Sequence, residues 1–226
     1  MTLVRVGLGM GFLFGNTPHL VDHDQALPGR ATPVLTTPRP HAVLGTPITG
    51  PWRDGQKRVL VGIGCFWGAE KMYWQMDGVE STSVGYGGGV TPNPSYREVC
   101  SGQTNHVELV EVVYDPAKVG LKDLVRAALE AHDPTQGYRQ GNDVGTQYRS
   151  AFYTDTEKEA ELIRGWIAQY QDALTASGYG QITTEVASVE ADGIAYYLAE
   201  DEHQQYLHKV PHGYCPHHST GVACGI

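Results

Sequence analysis

The chain has 226 residues and a formal net charge of −9, and its length suits one domain with an extension. Hydrophobic residues make up 41% of it and charged residues 18%, which is typical of a soluble globular protein and excludes a disordered or membrane-embedded chain. The acidic balance argues against nucleic-acid binding, which needs a basic surface.

Targeting signals and structural disulfides are not indicated. The apolar run from Val6 to Gly15 is far shorter than the roughly 20 residues of a membrane-spanning helix, and no signal-peptide cleavage site follows it. The cysteines are too few and too dispersed for a secreted disulfide scaffold: Cys65, Cys100, Cys215 and Cys224. We expect a cytoplasmic protein in which any disulfide is transient and catalytic.

Three regions are predicted along the chain. Residues 1–55 are rich in proline, threonine and glycine and lack a sustained hydrophobic period, so we expect an irregular N-terminal arm. Periodic structure is predicted over residues 56–210, and residues 211–226 form an irregular tail.

The periodic region begins with six segments that alternate between strand and helix patterns. Short apolar runs predict strands at "RVLVGIG", "GVESTSVGY", "HVELVEVVYD" and "YRSAFYT". Apolar residues three or four apart predict helices at "CFWGAEKMYWQM" and "LKDLVRAALEAH". The order β-α-β-β-α-β predicts an α+β fold, a two-layer ferredoxin-like plait with two helices on one face of an antiparallel sheet.

Further elements are predicted after these six. "TEKEAELIRGWIAQYQDALTAS" predicts a long helix, and its Thr156 and Glu159 have capping-box spacing. "ITTEVAS" and "IAYYLA" predict short strands, and "AEDEHQQYLHKV" predicts a final short helix.

Cys65 is the first candidate for chemistry, because it lies between the first strand and the first helix. Amide groups at a helix N-terminus favour a thiolate, which would make Cys65 a nucleophile. The alternative is a small residue in a tight turn between Gly64 and Gly68. Phe66 and Trp67 are either core residues or an apolar pocket for a methyl or thioether group.

Two glutamates of the third predicted strand compete as proton donors. Alternation places Glu108 on the same face as Val110 and Val112, where apolar surroundings would raise the pKa of its carboxyl. Glu108 could instead be solvated at a strand end, and Glu111 lies on the opposite face with an equal claim. The alternation does not distinguish them.

Loop and tail residues complete the candidates. Tyr96 and Tyr148 could donate hydrogen bonds to a polarised oxygen or simply cover the edge of the core, and Asp143 could organise its loop or stay solvated. Cys100 is interpreted as a small buried residue. In the tail, thiol exchange competes with a zinc site, although the adjacent histidines would strain one tetrahedral site; the tail residues are Cys215, His217, His218 and Cys224.

Several motifs together resemble the A-type peptide methionine sulfoxide reductases. They are "GCFWGAE", "VGYGGG", "TPNPSYREVCSGQTNHVE", "GNDVGTQYRS" and "EDEHQQYLHK", and the similarity runs from about Ala26 to Gly225. The resemblance implies that Cys65 is the nucleophile and that Phe66 and Trp67 hold the substrate's methyl group. It also implies that Glu108 is the acid, with three companions: Tyr96, Tyr148 and Asp143.

The same resemblance implies a reaction cycle. Methionine S-sulfoxide, free or in a protein, would be reduced while Cys65 becomes a sulfenic acid. Cys215 would then form a disulfide with Cys65, and Cys224 would pass that disulfide to thioredoxin. The spacing "CPHHSTGVAC" departs from the glycine-rich tail of three-cysteine members. We expect a monomeric catalytic domain that needs no metal or organic cofactor.

Two other classes of function remain as alternatives. A thiol peroxidase or cysteine hydrolase would need a Thr/Pro pocket or a histidine base near Cys65, and His106 and His203 are the candidates for that base. A zinc-tailed binding module would leave Cys65 unreactive.

Overall fold

The computed structural model describes residues 17–215 and 218–226. Within these residues the chain forms a mixed α/β fold with eight strands, five of which have four or more residues. The strands are β1 (Lys57–Ile63), β2 (Val79–Gly87), β3 (Val107–Tyr114), β4 (Arg139–Gln140), β5 (Asp143–Val144), β6 (Ser150–Thr154), β7 (Glu185–Ser188) and β8 (Tyr196–Leu198). The helices are α1 (Phe66–Trp74), α2 (Tyr96–Cys100), α3 (Leu121–Ala131), α4 (Glu157–Ala176), α5 (Val189–Asp192) and α6 (Tyr206–Lys209).

Six strands form one sheet in the order β7-β6-β1-β3-β2-β8. Only β6 and β7 pair in parallel; the other neighbours are antiparallel. β4 and β5 form a separate two-stranded hairpin. The long strands and helices occupy the segments predicted for them, since their continuous apolar runs and helical stripes are strong local signals.

The main core lies between one face of the sheet and helices α1, α3 and α4. Its largest fully buried side chains include Phe66, Tyr73, Leu124, Phe152 and Ile163. A smaller cluster covers the opposite face, with Leu60, Leu109 and Tyr153 at its centre. Side chains on the helix-covered face of β3 can therefore contact the N-terminus of α1.

The described part of the arm, residues 17–55, contains no helix or strand but is tied by hydrogen bonds to β2 and to the segment before β3. The backbone of Val21 exchanges two hydrogen bonds with the Asn105 side chain, at 2.9 and 2.8 Å. The ring of His41 is fully buried and contacts the Thr82 hydroxyl at 2.8 Å. No helix in residues 17–215 and 218–226 is long and apolar enough to cross a membrane.

Three local predictions need correction. Tyr96, predicted to lie in a loop, begins the short helix α2, which is capped by Ser95 and Glu98. Cys100 is exposed instead of buried, because the last turn of α2 directs Val99 into the core and leaves Cys100 outside. The final helix begins only at Tyr206, since Gln205 has a left-handed backbone, φ 49°, that a right-handed helix cannot contain.

Candidate active site

A glycine turn places Cys65 at the N-terminus of α1. Gly64 has φ 94°, a conformation that side chains disfavour, and a Cβ there would lie 2.8 Å from the Gln140 side chain. The chain therefore leaves β1 in a sharp turn, and Cys65 becomes the N-cap of α1. Cys65 is half-buried, and Glu108 at the start of β3 and Cys215 of the tail both act on its thiol electrostatically.

The Glu108 carboxyl lies at the same turn of α1. Its Oε2 accepts the backbone N–H of Phe66 at 3.1 Å, which satisfies an amide that the helix itself leaves unpaired. Burial raises the pKa of Glu108 to about 8, the charge of Asp143 adds to that rise, and the Phe66 amide opposes it. At neutral pH this carboxyl therefore holds a proton that it can donate.

Cys65 itself is held as a thiol. Burial raises the pKa of Cys65, and Glu108 raises it further once that carboxyl is ionised, while the backbone amide of Trp67 acts in the opposite direction. Burial therefore opposes the thiolate that the helix N-terminus is expected to favour. One amide does not offset the desolvation of a sulfur beside a carboxyl.

Aromatic rings form a cage around Trp67, two residues after Cys65. Trp67 stacks on Tyr206 with ring centroids 4.0 Å apart and on His203 at 5.7 Å, and its indole N–H donates to His203 Nδ1 at 3.3 Å. Phe66 contacts His203 at 5.6 Å, and Tyr96 contacts the same ring at 4.4 Å. Phe66 and Trp67, the two aromatic residues predicted to bind substrate, are therefore both part of this cage.

His203 and Tyr206 are cage residues that the sequence reasoning did not assign. Both lie in "EDEHQQYLHK", one of the segments that carried the family resemblance, and that was the available signal. His106, the other histidine considered as a base, is engaged elsewhere. Its Nε2 contacts the Thr91 carbonyl at 2.7 Å, and its Nδ1 accepts the Gly89 amide.

The two predicted tyrosines lie in the electrostatic field of Glu108. Burial raises the pKa of Tyr96 and of Tyr148, and the ionised form of Glu108 raises both further. Both phenols are therefore protonated donors at neutral pH. Glu200, which the sequence did not reveal, holds one side of the cage. Its carboxylate accepts hydrogen bonds from the Tyr96 backbone N–H at 2.8 Å and from the Tyr86 hydroxyl at 3.1 Å.

Asp143 connects the site to the tail. Its Oδ1 accepts the hydroxyl of Tyr214 at 3.0 Å, and Tyr214 immediately precedes Cys215. The Cys215 sulfur lies 3.3 Å from the point where a Cβ on Gly68 would be, in the first turn of α1. Glycine at 68 thus leaves room for the tail thiol, which contributes to the electrostatic surroundings of Cys65.

Cys224 lies elsewhere, in the apolar cluster beside α3 and α4. It is 4% exposed, and its amide donates to Glu130 Oε1 at 2.8 Å. The Tyr170 hydroxyl holds the same segment through the Val222 carbonyl at 3.0 Å. The structure therefore brings Cys215 to Cys65 but does not bring Cys224 there.

The predicted zinc alternative gains no support from the described residues. His217 lies outside the described residues, so its position in such a site is not tested. Among residues 17–215 and 218–226, no group of three or more histidine, cysteine or acidic side chains is arranged to hold a metal ion.

Glu111, the other candidate proton donor, is held by an ion pair and a hydrogen bond. Its Oε1 pairs with the Arg58 guanidinium at 2.8 Å, and Ser83 donates to its Oε2 at 3.4 Å. It faces the side of the sheet opposite α1, because side chains alternate along β3. Geometry therefore separates two glutamates that the sequence period left equivalent.

Comparison with known proteins gives one consistent result. The family described as "Peptide methionine sulfoxide reductase" matches residues 57–223. A protein of Corynebacterium efficiens named peptide methionine sulfoxide reductase MsrA is 66% identical over 96% of this chain and 99% of its own length. A protein of the same name from Corynebacterium glutamicum is 60% identical over 96% of this chain and 99% of its own length.

Solved structures agree with the sequence relatives. Methionine sulfoxide reductase A of Corynebacterium diphtheriae superposes with a TM-score of 0.83 at 58% identity, over 92% of this chain and 99% of that one. Mxr1 of Saccharomyces cerevisiae in reduced form gives a TM-score of 0.63 at 33% identity, over 73% of this chain and 92% of that one.

Proposed function

The chain belongs to the peptide methionine sulfoxide reductase family and reduces methionine sulfoxide, and we propose that Cys65 is its nucleophile and Glu108 its proton donor. The observation that carries this assignment is the shared turn of α1. The N-cap sulfur and a buried, protonated carboxyl meet at the first two amides of one helix, those of Trp67 and Phe66, and the Trp67 ring lies in the aromatic cage. The substrate is the S epimer, free or within a protein.

The first step transfers an oxygen atom from the sulfoxide sulfur to the Cys65 sulfur. The Cys65 sulfur attacks the sulfoxide sulfur while Glu108 passes its proton to the sulfoxide oxygen. The S–O bond of the substrate breaks, methionine leaves as a thioether, and Cys65 carries the oxygen as a sulfenic acid. The thiol proton of Cys65 replaces the proton that Glu108 gave up, so the step is balanced without a cofactor.

The proposed roles of the other site residues follow from their positions. Tyr96 and Tyr148 donate hydrogen bonds to the sulfoxide oxygen, since both phenols are protonated near Glu108. Phe66 and Trp67 receive the methyl group beside the substrate sulfur, because aromatic faces attract methyl groups and polarizable sulfur. Asp143 organises the tail through Tyr214.

Regeneration uses the tail. The Cys215 thiol condenses with the Cys65 sulfenic acid, which forms a disulfide and releases water. Cys224 then attacks Cys215, frees Cys65 and forms a second disulfide, which the thioredoxin dithiol reduces. Because Cys224 is buried beside α3 and α4, residues 218–226 have to leave that position before the exchange.

We extend the proposal to the organisation of the chain. The strand order β6-β1-β3-β2, with α1 and α3 on one face, supports a ferredoxin-like βαββαβ unit at the centre of the sheet. Around it we assign an arm over residues 1–55, a catalytic domain over 56–210 and a redox tail over 211–226. The protein acts as a cytoplasmic monomer without metal or organic cofactor.

A stereospecific assay tests the activity. With dithiothreitol as the reductant, the protein should reduce the S epimer of methionine sulfoxide and leave the R epimer unchanged, because the methyl group and oxygen each have one place in the site. Thioredoxin with its reductase should support the same turnover. Equal rates on both epimers would contradict the proposed pocket. Turnover that dithiothreitol supports but thioredoxin does not would contradict the proposed reductant.

Replacing Cys215 with serine should separate the two half-reactions. The variant should still release one methionine per protein, because Cys65 and Glu108 remain in place, but thioredoxin should no longer support turnover. Quenched samples analysed for methionine and for the Cys65 sulfenic acid measure both outcomes. A variant without the first methionine would show that Cys215 takes part before resolution.

A further inference from the structure

Glu70 is a fully buried glutamate for which the reaction described above has no use. It lies on α1, three residues after Trp67 and four after Phe66, and therefore on the same face of the helix as those cage residues. A buried carboxyl is costly unless it is hydrogen-bonded, so its partners indicate what it is for.

Two of those partners belong to one residue, Gln205. The Gln205 backbone N–H donates to Glu70 Oε2 at 2.8 Å, and the Gln205 side-chain amide donates to Glu70 Oε1 at 2.8 Å. Gln205 has φ 49°, a left-handed conformation that is unfavourable for a residue with a side chain. The double contact with Glu70 offsets that cost and fixes the turn.

The turn at Gln205 determines where two cage rings lie. His203 and Tyr206 flank it on either side, and both rings contact Trp67. The segment is thus attached to α1 at two points one helical turn apart, by ring contacts at Trp67 and by hydrogen bonds at Glu70. Gln204 ties the same segment to Val84 of β2, so loss of the Glu70 contact should shift the rings without releasing the segment.

The arm completes this network. The Nδ1 atom of His41 accepts the amides of Val43 and Leu44, so its Nε2–H donates to the Thr82 hydroxyl at 2.8 Å. Thr82 in turn donates to Glu70 Oε1 at 3.1 Å. Glu70 therefore accepts three hydrogen bonds and donates none, which is the arrangement that an ionised carboxylate requires.

We propose that Glu70 is a positioning residue of the reductase, which holds the left-handed turn at Gln205 and thereby sets His203 and Tyr206 against Trp67 to shape the pocket for the substrate's methyl group. This inference rests on the proposed pocket. It assigns the arm a share in the same task, because His41 orients the Thr82 hydroxyl toward Glu70.

The charge of Glu70 gives the inference a pH dependence. Burial raises the pKa of Glu70 to about 7, and the bonds from Gln205 and Thr82 and the charge of Lys209 lower it. The other titratable groups around the network are Tyr196, which feels the charge of Glu70, and His208, which acts on His41. As the pH falls through about 7, Glu70 gains a proton, its hydrogen bonds lose charge assistance, and the pocket should loosen.

Replacing Glu70 with glutamine should weaken substrate binding and leave the chemistry almost unchanged. In single-turnover measurements at pH 8.5 with methionine S-sulfoxide, we expect the half-saturating concentration to rise about tenfold, the effect of losing one charge-assisted hydrogen bond. The limiting rate should stay within about threefold, because Cys65 and Glu108 are not touched. In the wild type the half-saturating concentration should rise between pH 8 and pH 6, and in the variant it should stay flat.

Glu111→Gln is the matched control, because it makes the same change at a buried carboxyl on the opposite face of the sheet. It should lower thermal stability without changing the half-saturating concentration. Equal values for both variants would overturn the role of Glu70, whereas a wild type that does not reduce the S epimer would overturn the activity itself.

A second variant decides the question if Glu70→Gln does not fold. Thr82→Val removes one donor to Glu70 and keeps the shape of the side chain. It should raise the pKa of Glu70 and move the wild-type pH step in half-saturating concentration to higher pH. An unchanged step would refute the inference.

Discussion

Replacement of Cys65 by serine should abolish the reduction of methionine S-sulfoxide completely, in the first turnover as well as in steady state. A serine hydroxyl has a far higher pKa than a thiol, and its oxygen cannot accept the sulfoxide oxygen to form a sulfenic acid. The fold should persist, since serine is nearly isosteric and the turn at this point depends on Gly64. Rapid-quench measurement of methionine release checks the result.

Cys224→Ser provides the control in the same assay. Cys224 lies in the apolar cluster beside α3 and α4, and dithiothreitol can reduce the Cys65–Cys215 disulfide without it. Its first turnover and its dithiothreitol-driven rate should therefore match the wild type. Methionine release by Cys65→Ser would exclude Cys65 as the nucleophile, whatever the control shows.

The sequence predicts those elements whose signals are local. The strands around β1 and β3 are continuous apolar runs, and α3 and α4 have clear helical stripes, so their positions follow from neighbouring residues alone. The arm has no such period. Its path is set by contacts far apart in sequence, such as the bonds between Val21 and Asn105 or His41 and Thr82, and these do not leave a pattern in a single chain.

In the candidate site, too, local signals are predictable from the sequence and long-range contacts are not. Cys65 is placed by a strand, a glycine turn and a helix, all of which are readable in "VGIGCFWGAE". Alternation along β3 predicts that Glu108 and Glu111 lie on opposite faces, but which face meets α1 depends on how the helices pack. Electrostatics is less predictable still: the pKa of Cys65 is a balance between burial, Glu108 and one amide, and only coordinates give its direction.

The cage illustrates why the final predicted helix forms only in part, from Tyr206 to Lys209. "HQQYLH" resembles the start of a helix, yet Gln205 takes a left-handed conformation because Glu70, Val84 and Ala42 hold the residues around it. A helix there would direct the rings of His203 and Tyr206 differently. These tertiary hydrogen bonds outweigh the local preference for a helix, and they position the cage rings that contact Trp67.

Replacement of Glu108 by glutamine should slow the first step by about 10²-fold or more, the usual effect of losing a general acid. The amide can still accept the Phe66 N–H, so the turn of α1 is preserved while the transferable proton is lost. Because the pKa of Glu108 is about 8, the wild-type rate of this step should fall as the pH rises through 8. The variant should lack that descending limb.

Glu111→Gln is again the matched comparison, three residues along the same strand and facing away from α1. Its first-turnover rate should equal that of the wild type, because Glu111 is bonded to Arg58 and Ser83 and does not reach the sulfur. A wild-type rate in Glu108→Gln would refute the assignment of Glu108 as the proton donor.

The pH dependence of thermal stability reports the protonation of Glu108 independently of catalysis. The folded state holds the Glu108 proton up to about pH 8, whereas the unfolded chain releases it near the ordinary value of 4.5. Folding therefore loses stability as the pH rises through this window, because the unfolded state ionises first. Glutamine carries no such cost, so Glu108→Gln should melt at a higher temperature than the wild type at pH 9, with a difference that shrinks toward pH 5. A catalytically impaired variant that is more stable only at high pH would identify Glu108 as a carboxyl kept protonated, at a cost in stability, for the reaction.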